Sequence, residues 1–559
     1  MPGNHAHIRE LTMPDNPAHI RSPRRDRNES GDARMTPSRK TTLLLFVGSI
    51  LGYSVASILH MHKGISEQPR VDAVSDLPLH IVNQKHEGTK SRVKELERLL
   101  EDAGDKKEAT PAEEISHSTT TSSATPTKKP LNIVLLYADD WSYKTLGAAG
   151  NSFVKTPNLD RLAKTGVMFS HNCVTTSICW QSRATLYTGQ YVSRHKAFKI
   201  ESKEFLAEKR WNSTLYSLLS QNGYHNGFFG KWHHAFPPEG TFKESQFYYG
   251  DHWMKGPKMH VTEKNEKDGL RFLQNRPREK PFSLTVSFFA THALDGNPEQ
   301  YIPMNSSMPL YENEVVPVPA NANNASWDNL PYFFDHRNEG RYRWKARYDT
   351  PTKFQKMMKN YYRLATEVDT ACGKIIDELE RQGIMNETLV IFTTDNGNYH
   401  GEHQLADKWY AHEESIRVPL IVHDPRMPPS EAGIPNSDYT LNIDLAPTIL
   451  SAAQIQPPDH MQGEDFSQLY IDPERTKSWR KEFYYEWQST IFGKFHIPDV
   501  EALVRKDYKY IYWPQHKYEQ LFHLPTDRLE ENDLINVTEK QEIIKSMKVR
   551  FLDLKKAAL

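Results

Sequence analysis

The chain has 559 residues, more than a single hydrophobic core usually serves, so we expect one large domain with smaller segments attached. Its 70 lysine and arginine residues nearly balance 71 aspartate and glutamate residues, and the formal net charge of −1 gives no indication of a nucleic-acid partner. Cys173, Cys179 and Cys372 are too few for a disulfide framework, and their odd number leaves at least one thiol outside any pairing.

The N-terminal segment indicates a membrane anchor. Residues 1–40 are rich in arginine and predict a disordered basic tail, and residues 41–59 contain no charged side chain over a length that spans a bilayer as a helix. Because the basic residues precede the apolar run, we expect the tail in the cytoplasm and the rest of the chain in the lumen. The prediction is a type II signal-anchor protein of the Golgi or another secretory-pathway membrane. Cleavage near Ala56 is the alternative.

A luminal stalk is predicted over residues 60–130. Val93, Leu96 and Leu100 share one helical stripe, long enough for a short coiled coil. The following stretch ATPAEEISHSTTTSSATPTKKP has too few large apolar residues to bury a core and predicts a linker. Five sequons for N-glycosylation lie on the luminal side of the predicted anchor, at Asn212, Asn305, Asn324, Asn386 and Asn536.

From residue 131 the pattern is that of an α/β domain. The run LNIVLLYADD predicts a strand buried on both faces, and further strands are predicted at HNGFFG, 282–290, 388–396 and 418–424. Helices predicted over 214–222 and 353–382 alternate with them, so we expect a large, mostly parallel mixed sheet flanked by helices over 131–479. From residue 480, EALVRKDYKYIYW and QLFHLPTDRLEENDLI predict exposed antiparallel strands in a smaller α+β subdomain, 480–559.

Acidic residues follow two of the predicted strands. Asp139 and Asp140 come after the first, and Asp395 and Asn396 come after LVIFTT. Ligands of open α/β sheets gather beyond the carboxyl ends of the strands, and adjacent carboxylates repel unless a cation or proton separates them. Three carboxylates and an amide oxygen suit Ca²⁺ or Mg²⁺ better than zinc. For either pair taken alone, a turn or a helix cap is the alternative.

A series of motifs then identifies a family. LLYADD, TPNLDRLAKTGVMF, CWQSRATLYTG, GKWHH, THA, TTDNG and DKWYAHEESIRVPLI follow one another between residue 131 and about residue 535. In this order they resemble the type I, formylglycine-dependent sulfatases of the alkaline phosphatase superfamily. The resemblance implies an alkaline phosphatase-like fold and a sulfuric ester hydrolase.

The resemblance also implies a role for each motif residue. Cys179 would be oxidised by a formylglycine-generating enzyme, because a geminal diol at this position can expel sulfate by returning to the aldehyde whereas a sulfated thiol would be a stable product. Arg183 and Lys231 would hold the modified side chain, and His233 would take the proton of its second hydroxyl. His292 and Lys408 would bind the sulfate group. The implied metal ligands are Asp139, Asp140, Asp395, Asn396 and the modified residue 179, with Ca²⁺ or Mg²⁺ as the cation.

One position departs from the family pattern. Such enzymes have Cys-Xaa-Pro-Xaa-Arg, sometimes with Ala for Pro, and Gln181 occupies that place here. Because the modifying enzyme binds this segment in an extended form, the change predicts weaker conversion of Cys179. The THA motif likewise lacks the proline that often precedes its histidine.

The substrate is predicted from the neighbours of the motifs. His234 and His403, with Trp180 and His400, are expected at the pocket, and aromatic and imidazole side chains suit sugar rings. An anchor followed by a Ser/Thr-rich stalk is also typical of Golgi enzymes that modify carbohydrates. We therefore expect a sulfated carbohydrate or another sulfate ester as substrate. The alternatives are a phosphodiester or phosphonate ester hydrolase of the same superfamily, and a non-catalytic protein that binds sulfated glycans.

Overall fold

A computed structural model describes residues 129–199, 208–256, 258–488 and 496–559. The predicted basic tail, the signal-anchor with its alternative cleavage position, and all of the predicted stalk before residue 129 lie outside these ranges. Within the ranges, no helix combines the length and the apolar composition needed to cross a membrane.

Strands and helices alternate along most of the described chain. The strands are β1 (Asn132–Ala138), β2 (Val167–Cys173), β3 (His225–Gly230), β4 (Glu244–Phe247), β5 (Phe282–Ser287), β6 (Thr388–Thr394), β7 (Tyr399–His400), β8 (Ala406–Asp407), β9 (Leu420–His423), β10 (Asn436–Leu441), β11 (Glu482–Trp487), β12 (Val500–Arg505), β13 (Tyr508–Trp513) and β14 (Tyr518–His523). The α-helices are α1 (Pro157–Thr165), α2 (Cys179–Thr188), α3 (Val192–His195), α4 (Glu208–Trp211), α5 (Leu215–Gln221), α6 (Val261–Asn275), α7 (Asn324–Asp328), α8 (Glu339–Arg347), α9 (Pro351–Arg381), α10 (Glu413–Ile416), α11 (Leu445–Ala452), α12 (Gln468–Ile471) and α13 (Gln541–Ala558).

An eight-stranded mixed sheet forms the centre of the larger part, with strand order β10-β2-β9-β6-β1-β5-β3-β4. β9 runs antiparallel to both of its neighbours, and the other pairings in this sheet are parallel. The predicted α/β class with a mostly parallel sheet is confirmed. The strands predicted over 282–290 and 388–396 end earlier, at Ser287 and Thr394. Both predictions were too long because the chain stays buried in the loop that follows each strand.

Side chains of the central strand alternate between two apolar layers. Val134 and Leu136 of β1 pack in one layer with residues of α9 such as Leu364, and Ile133 and Leu135 pack in the other with residues of α2, α5 and α11. A strand covered on both faces is apolar throughout, which is the pattern of this run in the sequence. The helices thus hold the sheet from both sides and leave its strand ends open to loops.

The C-terminal part contains a four-stranded antiparallel sheet in the order β11-β12-β13-β14. One face packs on α13, where Leu503 and Tyr510 contact Phe551 within a common apolar cluster. The other face packs on the larger part, with Ile511 and Trp513 in the same cluster as Ile416 and other residues there. The smaller α+β part is confirmed, but the prediction that its strands are exposed was wrong, because both faces are covered.

Candidate active site

The carboxyl ends of two adjacent strands bring four oxygen-bearing side chains together. β1 and β6 pair in parallel with Ala138 opposite Thr394, so the residues that follow each strand are neighbours. The backbone N–H of Asp140 lies 3.3 Å from Oδ1 of Asp395, and Nδ2 of Asn396 donates to Oδ1 of Asp140 at 2.6 Å. These residues and Asp139 are fully buried. The structure therefore places these four side chains together at the carboxyl ends of the strands, as expected from the sequence.

Cys179 lies beside this group at the first position of α2. Its Sγ is 3.5 Å from Oδ1 of Asp139, and the thiol is buried, which raises its pKa well above the ordinary value. Arg183 is one helical turn further on and therefore faces the same side. Its guanidinium donates to Oδ2 of Asp395 from Nε at 2.9 Å, and Nη1 donates to the backbone oxygen of Lys231 at 2.9 Å. The four-residue spacing of Cys179 and Arg183 thus puts both side chains against the acidic group.

Two buried lysines face the same carboxylates. Lys231, directly after β3, pairs with Asp139, and Lys408, directly after β8, pairs with Asp140. Burial opposes the charged form of each lysine, but the facing carboxylates raise the pKa of both. Both ammonium groups therefore stay charged and provide fixed positive charge beside residue 179.

The two histidines predicted to act here are half-buried and neutral. Burial, and then the charge of Lys231, lower the pKa of His233 and of His292 well below the ordinary value. Nδ1 of His292 lies 2.6 Å from the backbone oxygen of Ala293 and donates to it, so the lone pair of this ring is on Nε2, 3.7 Å from Oδ2 of Asp140. Nδ1 of His233 is buried without a hydrogen-bond partner among the described residues. Each neutral imidazole keeps one ring nitrogen with a free lone pair.

The donor set fits a divalent cation. Oδ2 of Asp140 and Oδ1 of Asn396 are buried acceptors without a hydrogen-bond partner in the described part of the chain. One ligand atom from each of Asp139, Asp140, Cys179 and His292 lies within 4.8 Å of the others. Burial and the nearby Asp395 raise the pKa of Asp139 to about 7, a cost that a bound cation would remove. The oxygen-bearing side chains Asp139, Asp140, Asp395 and Asn396, with residue 179 at their edge, suit a hard cation.

A cavity of about 690 Å³ opens above these residues. Lys231, Lys408 and Cys179 are at its floor, and His233 and His292 line its wall. Tyr249, Asp251, Asp295 and Arg343 also line it, together with Trp180, Phe289 and Trp409. Tyr249, Asp251, Asp295 and Arg343 were not predicted because they belong to no motif. Tyr249 and Asp251 could have been inferred from strand pairing, because they follow β4, whose last residue Phe247 pairs with Gly230, the residue before Lys231.

His234 and His403 are not among the residues that line this cavity, and their contact with the substrate stays a prediction. The ring of His234 lies 6.2 Å from the ring of Trp232, which is buried in the core. The ring of His403 stacks on His412 with 4.8 Å between centroids. Position beside a motif residue is a poor guide here because these histidines lie in turns, where His233 and His403 have positive φ angles of 69° and 52°.

Gln181, the departure from the family pattern, is buried within α2. Its Oε1 accepts a hydrogen bond of 3.0 Å from Oγ1 of Thr176, and its Nε2 has no hydrogen-bond partner within the described ranges. Gln181 is thus buried in the same helix that carries Cys179 and Arg183.

Comparison with known families decides the class of protein. The sulfatase family model matches residues 131–455, and the model for the C-terminal region of N-sulphoglucosamine sulphohydrolase matches residues 401–557. The chain belongs to the sulfatase family. The enzyme class expected from the sequence, sulfuric ester hydrolase, is confirmed, and so is the membership of the alkaline phosphatase superfamily.

Individual relatives of this sulfatase cover most of its described length. The N-acetylglucosamine-6-O-sulfatase of Bacteroides thetaiotaomicron is 26% identical over 430 residues, which cover 65% of this chain and 74% of the relative. The N-sulphoglucosamine sulphohydrolase of Homo sapiens is 30% identical over 341 residues, 59% of this chain and 62% of the relative.

Solved structures share the fold at low identity. A protein solved in complex with its substrate D-glucosamine-2-N,6-O-disulfate has a TM-score of 0.64 at 22% identity, over 77% of this chain and 98% of that protein. The phosphonate monoester hydrolase of Agrobacterium radiobacter has a TM-score of 0.64 at 22% identity, over 77% and 96% respectively. The common fold therefore occurs in proteins that act on different esters.

Proposed function

We propose that this sulfatase hydrolyses sulfate esters of a carbohydrate by means of a formylglycine made from Cys179 and a bound divalent cation. The observation that carries the proposal is the position of Cys179. Its sulfur lies at the floor of the cavity, 3.5 Å from Asp139, with Lys231 and Lys408 also lining that floor. An anionic ester that enters the cavity meets residue 179 and both ammonium groups together.

Two groups would supply the chemistry that unmodified side chains lack. Formylglycine, when present, supplies a hydrated aldehyde whose hydroxyl attacks sulfur and whose collapse releases sulfate. A cation held by Asp139, Asp140, Asp395 and Asn396, Ca²⁺ with Mg²⁺ as the alternative, would polarise the sulfate oxygens. The two unpartnered oxygens of Asp140 and Asn396 support such a ligand set.

The remaining roles belong to side chains in place. Lys231 and Lys408 neutralise the charge of the sulfate group as it is transferred, and their surroundings keep them protonated. His233 is neutral at the cavity wall and can accept a proton from residue 179. Arg183 is held by Asp395 and keeps the start of α2 against the acidic group. His292 presents Nε2 to the same floor.

A carbohydrate is the substrate class that the cavity supports best. Trp180, Tyr249, Phe289 and Trp409 give the wall aromatic surface, which packs against the C–H faces of sugar rings. The names of two relatives describe enzymes of sulfated glucosamine derivatives. Both facts favour a sulfated sugar over a simple aryl sulfate as the natural ester.

The decisive test compares sulfate release by the wild type and by Cys179→Ala, on a chromogenic aryl sulfate and on sulfated monosaccharides. We expect the variant to lose activity by at least ~10³-fold, since the nucleophile is removed. Cys372→Ala is the matched control, because Cys372 is a buried cysteine of α9 outside the site. Full activity of Cys179→Ala would contradict the proposal.

The two alternatives need different measurements. A phosphonate or phosphodiester hydrolase shares the fold, so kcat/KM on matched sulfate, phosphate and phosphonate esters separates it from a sulfatase, which is expected to prefer the sulfate ester. A non-catalytic glycan-binding protein would bind sulfated sugars without turnover and retain only thiol at residue 179.

The proposed location is the lumen of the Golgi, or of another secretory-pathway compartment, with residues 41–59 as membrane anchor. The sequence pattern supports this, and so does the exposure of the five luminal sequon asparagines in the structure, Asn212, Asn305, Asn324, Asn386 and Asn536. Conversion of Cys179 by a formylglycine-generating enzyme requires the same compartment. Mobility shifts after glycosidase treatment, with protease protection of intact vesicles, test the topology. Glycan-free protein or cleavage of the catalytic domain would contradict it.

A further inference from the structure

The mouth of the cavity carries the opposite charge from its floor. Asp251 and Asp295 line the cavity above the lysines, and the Asp295 side chain is 48% exposed. Asp251 also accepts the backbone N–H of Trp253 at 3.2 Å, a contact that leaves its charge in place. Any group that extends from a sulfate at the floor therefore passes two carboxylates.

The one arginine that lines the mouth within the described residues is already shared among acids. Nη1 of Arg343 is 2.7 Å from Asp295 and 2.6 Å from Asp407, and its Nε donates to Glu339 at 2.7 Å. Arg347, just behind it, pairs with Asp407 at 2.6 Å and with Asp295 at 3.2 Å. Two guanidinium groups thus face three carboxylates, of which only Asp295 lines the cavity. At the mouth, the two lining carboxylates of Asp251 and Asp295 outnumber the one lining guanidinium of Arg343, so the mouth is negative.

An aromatic ring completes this part of the wall. Tyr249 is 48% exposed, and its ring centroid lies 5.3 Å from that of His233. The ring is thus next to a side chain of the proposed machinery and has a free face. Aromatic faces pack against the C–H surface of sugars, and carboxylates accept hydrogen bonds from their hydroxyl groups. Tyr249, Asp251 and Asp295 provide both kinds of contact at one place.

We propose, and this rests on the proposed function, that the mouth is a subsite for a polyhydroxyl sugar ring whose only charged group is the sulfate bound at the floor. Tyr249 packs on the ring, Asp251 and Asp295 accept its hydroxyl groups, and the negative mouth disfavours a second sulfate or a carboxylate on the same sugar. Like charges a few ångströms apart in partly solvated surroundings weaken binding by roughly three- to tenfold, and salt reduces the effect.

The test measures binding without turnover. Calorimetric titrations use the Cys179→Ala protein with N-acetylglucosamine 6-sulfate and with D-glucosamine-2-N,6-O-disulfate as probes. We expect the monosulfated sugar to bind more tightly. Asp251→Asn and Asp295→Asn, each added to this background, are expected to lower the ratio of the disulfate Kd to the monosulfate Kd by roughly three- to tenfold, less at high salt. Tyr249→Ala is expected to weaken both sugars.

The matched control is Asp377→Asn, which removes one exposed carboxylate near the end of α9. Because α9 ends shortly before β6 begins, this residue lies toward the amino ends of the strands, away from the cavity, and the Kd ratio should not change. Tighter binding of the disulfate by the unaltered mouth, no measurable binding of either sugar, or an unchanged ratio in both Asp variants would overturn the subsite. Failure of the proposed function is seen separately, as sulfate release that survives Cys179→Ala.

Discussion

The floor of the cavity and the cluster around Lys509 both bury charged side chains, but only the first faces open space. Nζ of Lys509 lies 2.9 Å from Glu413 and 2.8 Å from Glu530, and no part of the lysine side chain is exposed. This cluster joins β13 to α10. None of its three residues lines the cavity of the candidate active site. Oε1 of Glu530 and the floor oxygens Oδ2 of Asp140 and Oδ1 of Asn396 all lack a hydrogen-bond partner among the described residues, but only the floor oxygens lie next to residues that line the cavity. Buried charge alone therefore does not mark a site, whereas unpartnered acceptors beside a cavity do.

Of the changes that distinguish the cavity floor from the Lys509 cluster, loss of the cation or of a cation ligand is expected to lower activity most. Asp140→Asn, or treatment with a chelator, should lower kcat/KM for sulfate esters by ~10²-fold or more, because the charge that neutralises the sulfate oxygens is lost. Activity should return to the chelated wild type on addition of Ca²⁺ or Mg²⁺. Activity that is indifferent to both treatments would show that no cation acts here.

The lysines provide the most direct contrast. Lys408→Met is expected to lower kcat/KM by ~10²-fold, since it removes fixed positive charge at the sulfate. Lys509→Met should leave kcat/KM of the folded protein nearly unchanged but lower the free energy of unfolding by ~3–5 kcal/mol, because Glu413 and Glu530 lose their buried partner. Kinetics and urea unfolding of both variants test this. Loss of activity in Lys509→Met with an unchanged free energy of unfolding would contradict the purely structural role of Lys509.

A smaller effect is expected where the two sheets meet. Glu486 of β11 is buried and accepts the backbone N–H of Ser193 at 2.8 Å. Burial raises its pKa to about 7, so the native state holds a proton that the unfolded chain releases above its ordinary pKa near 4.5. The contribution of Glu486 to the free energy of unfolding is thus greatest at low pH, and it falls by ~2 kcal/mol as the pH rises toward 7.

Glu486→Gln should remove this pH dependence, so the stability of the variant relative to wild type rises between pH 5 and pH 8 (~2 kcal/mol by the same linkage). Thermal unfolding at a series of pH values measures it, with the exposed Glu474→Gln as control. Parallel curves for Glu486→Gln and wild type would contradict the assignment.

The sequence predicts the floor of the cavity better than its mouth. Asp139, Asp140, Asp395 and Asn396 follow buried strands, so strand order and the strand-end rule bring them together without knowledge of loops. Asp295 and Arg343 meet only through loops and a short helix, and no local pattern predicts that contact. These loops also set which of two adjacent histidines, His233 or His234, turns toward the cavity.

The C-terminal sheet shows a second limit. Its strands alternate in sequence, a pattern that predicts one exposed face. α13 covers that face and the larger part covers the other, and neither contact is visible in the strands themselves. Long-range packing thus decides burial where periodicity alone predicts exposure.

The proposed mechanism depends most on the chemical state of residue 179. Mass spectrometry of the peptide that contains residues 179 and 180 measures this state directly. The protein for this measurement should be isolated after passage through a secretory pathway that contains the formylglycine-generating enzyme. We expect an aldehyde in place of the thiol in a substantial fraction of molecules, and an aldehyde fraction that rises in proportion to the rate of sulfate release across preparations. Thiol alone at this position, with or without sulfate release, would contradict the proposed mechanism.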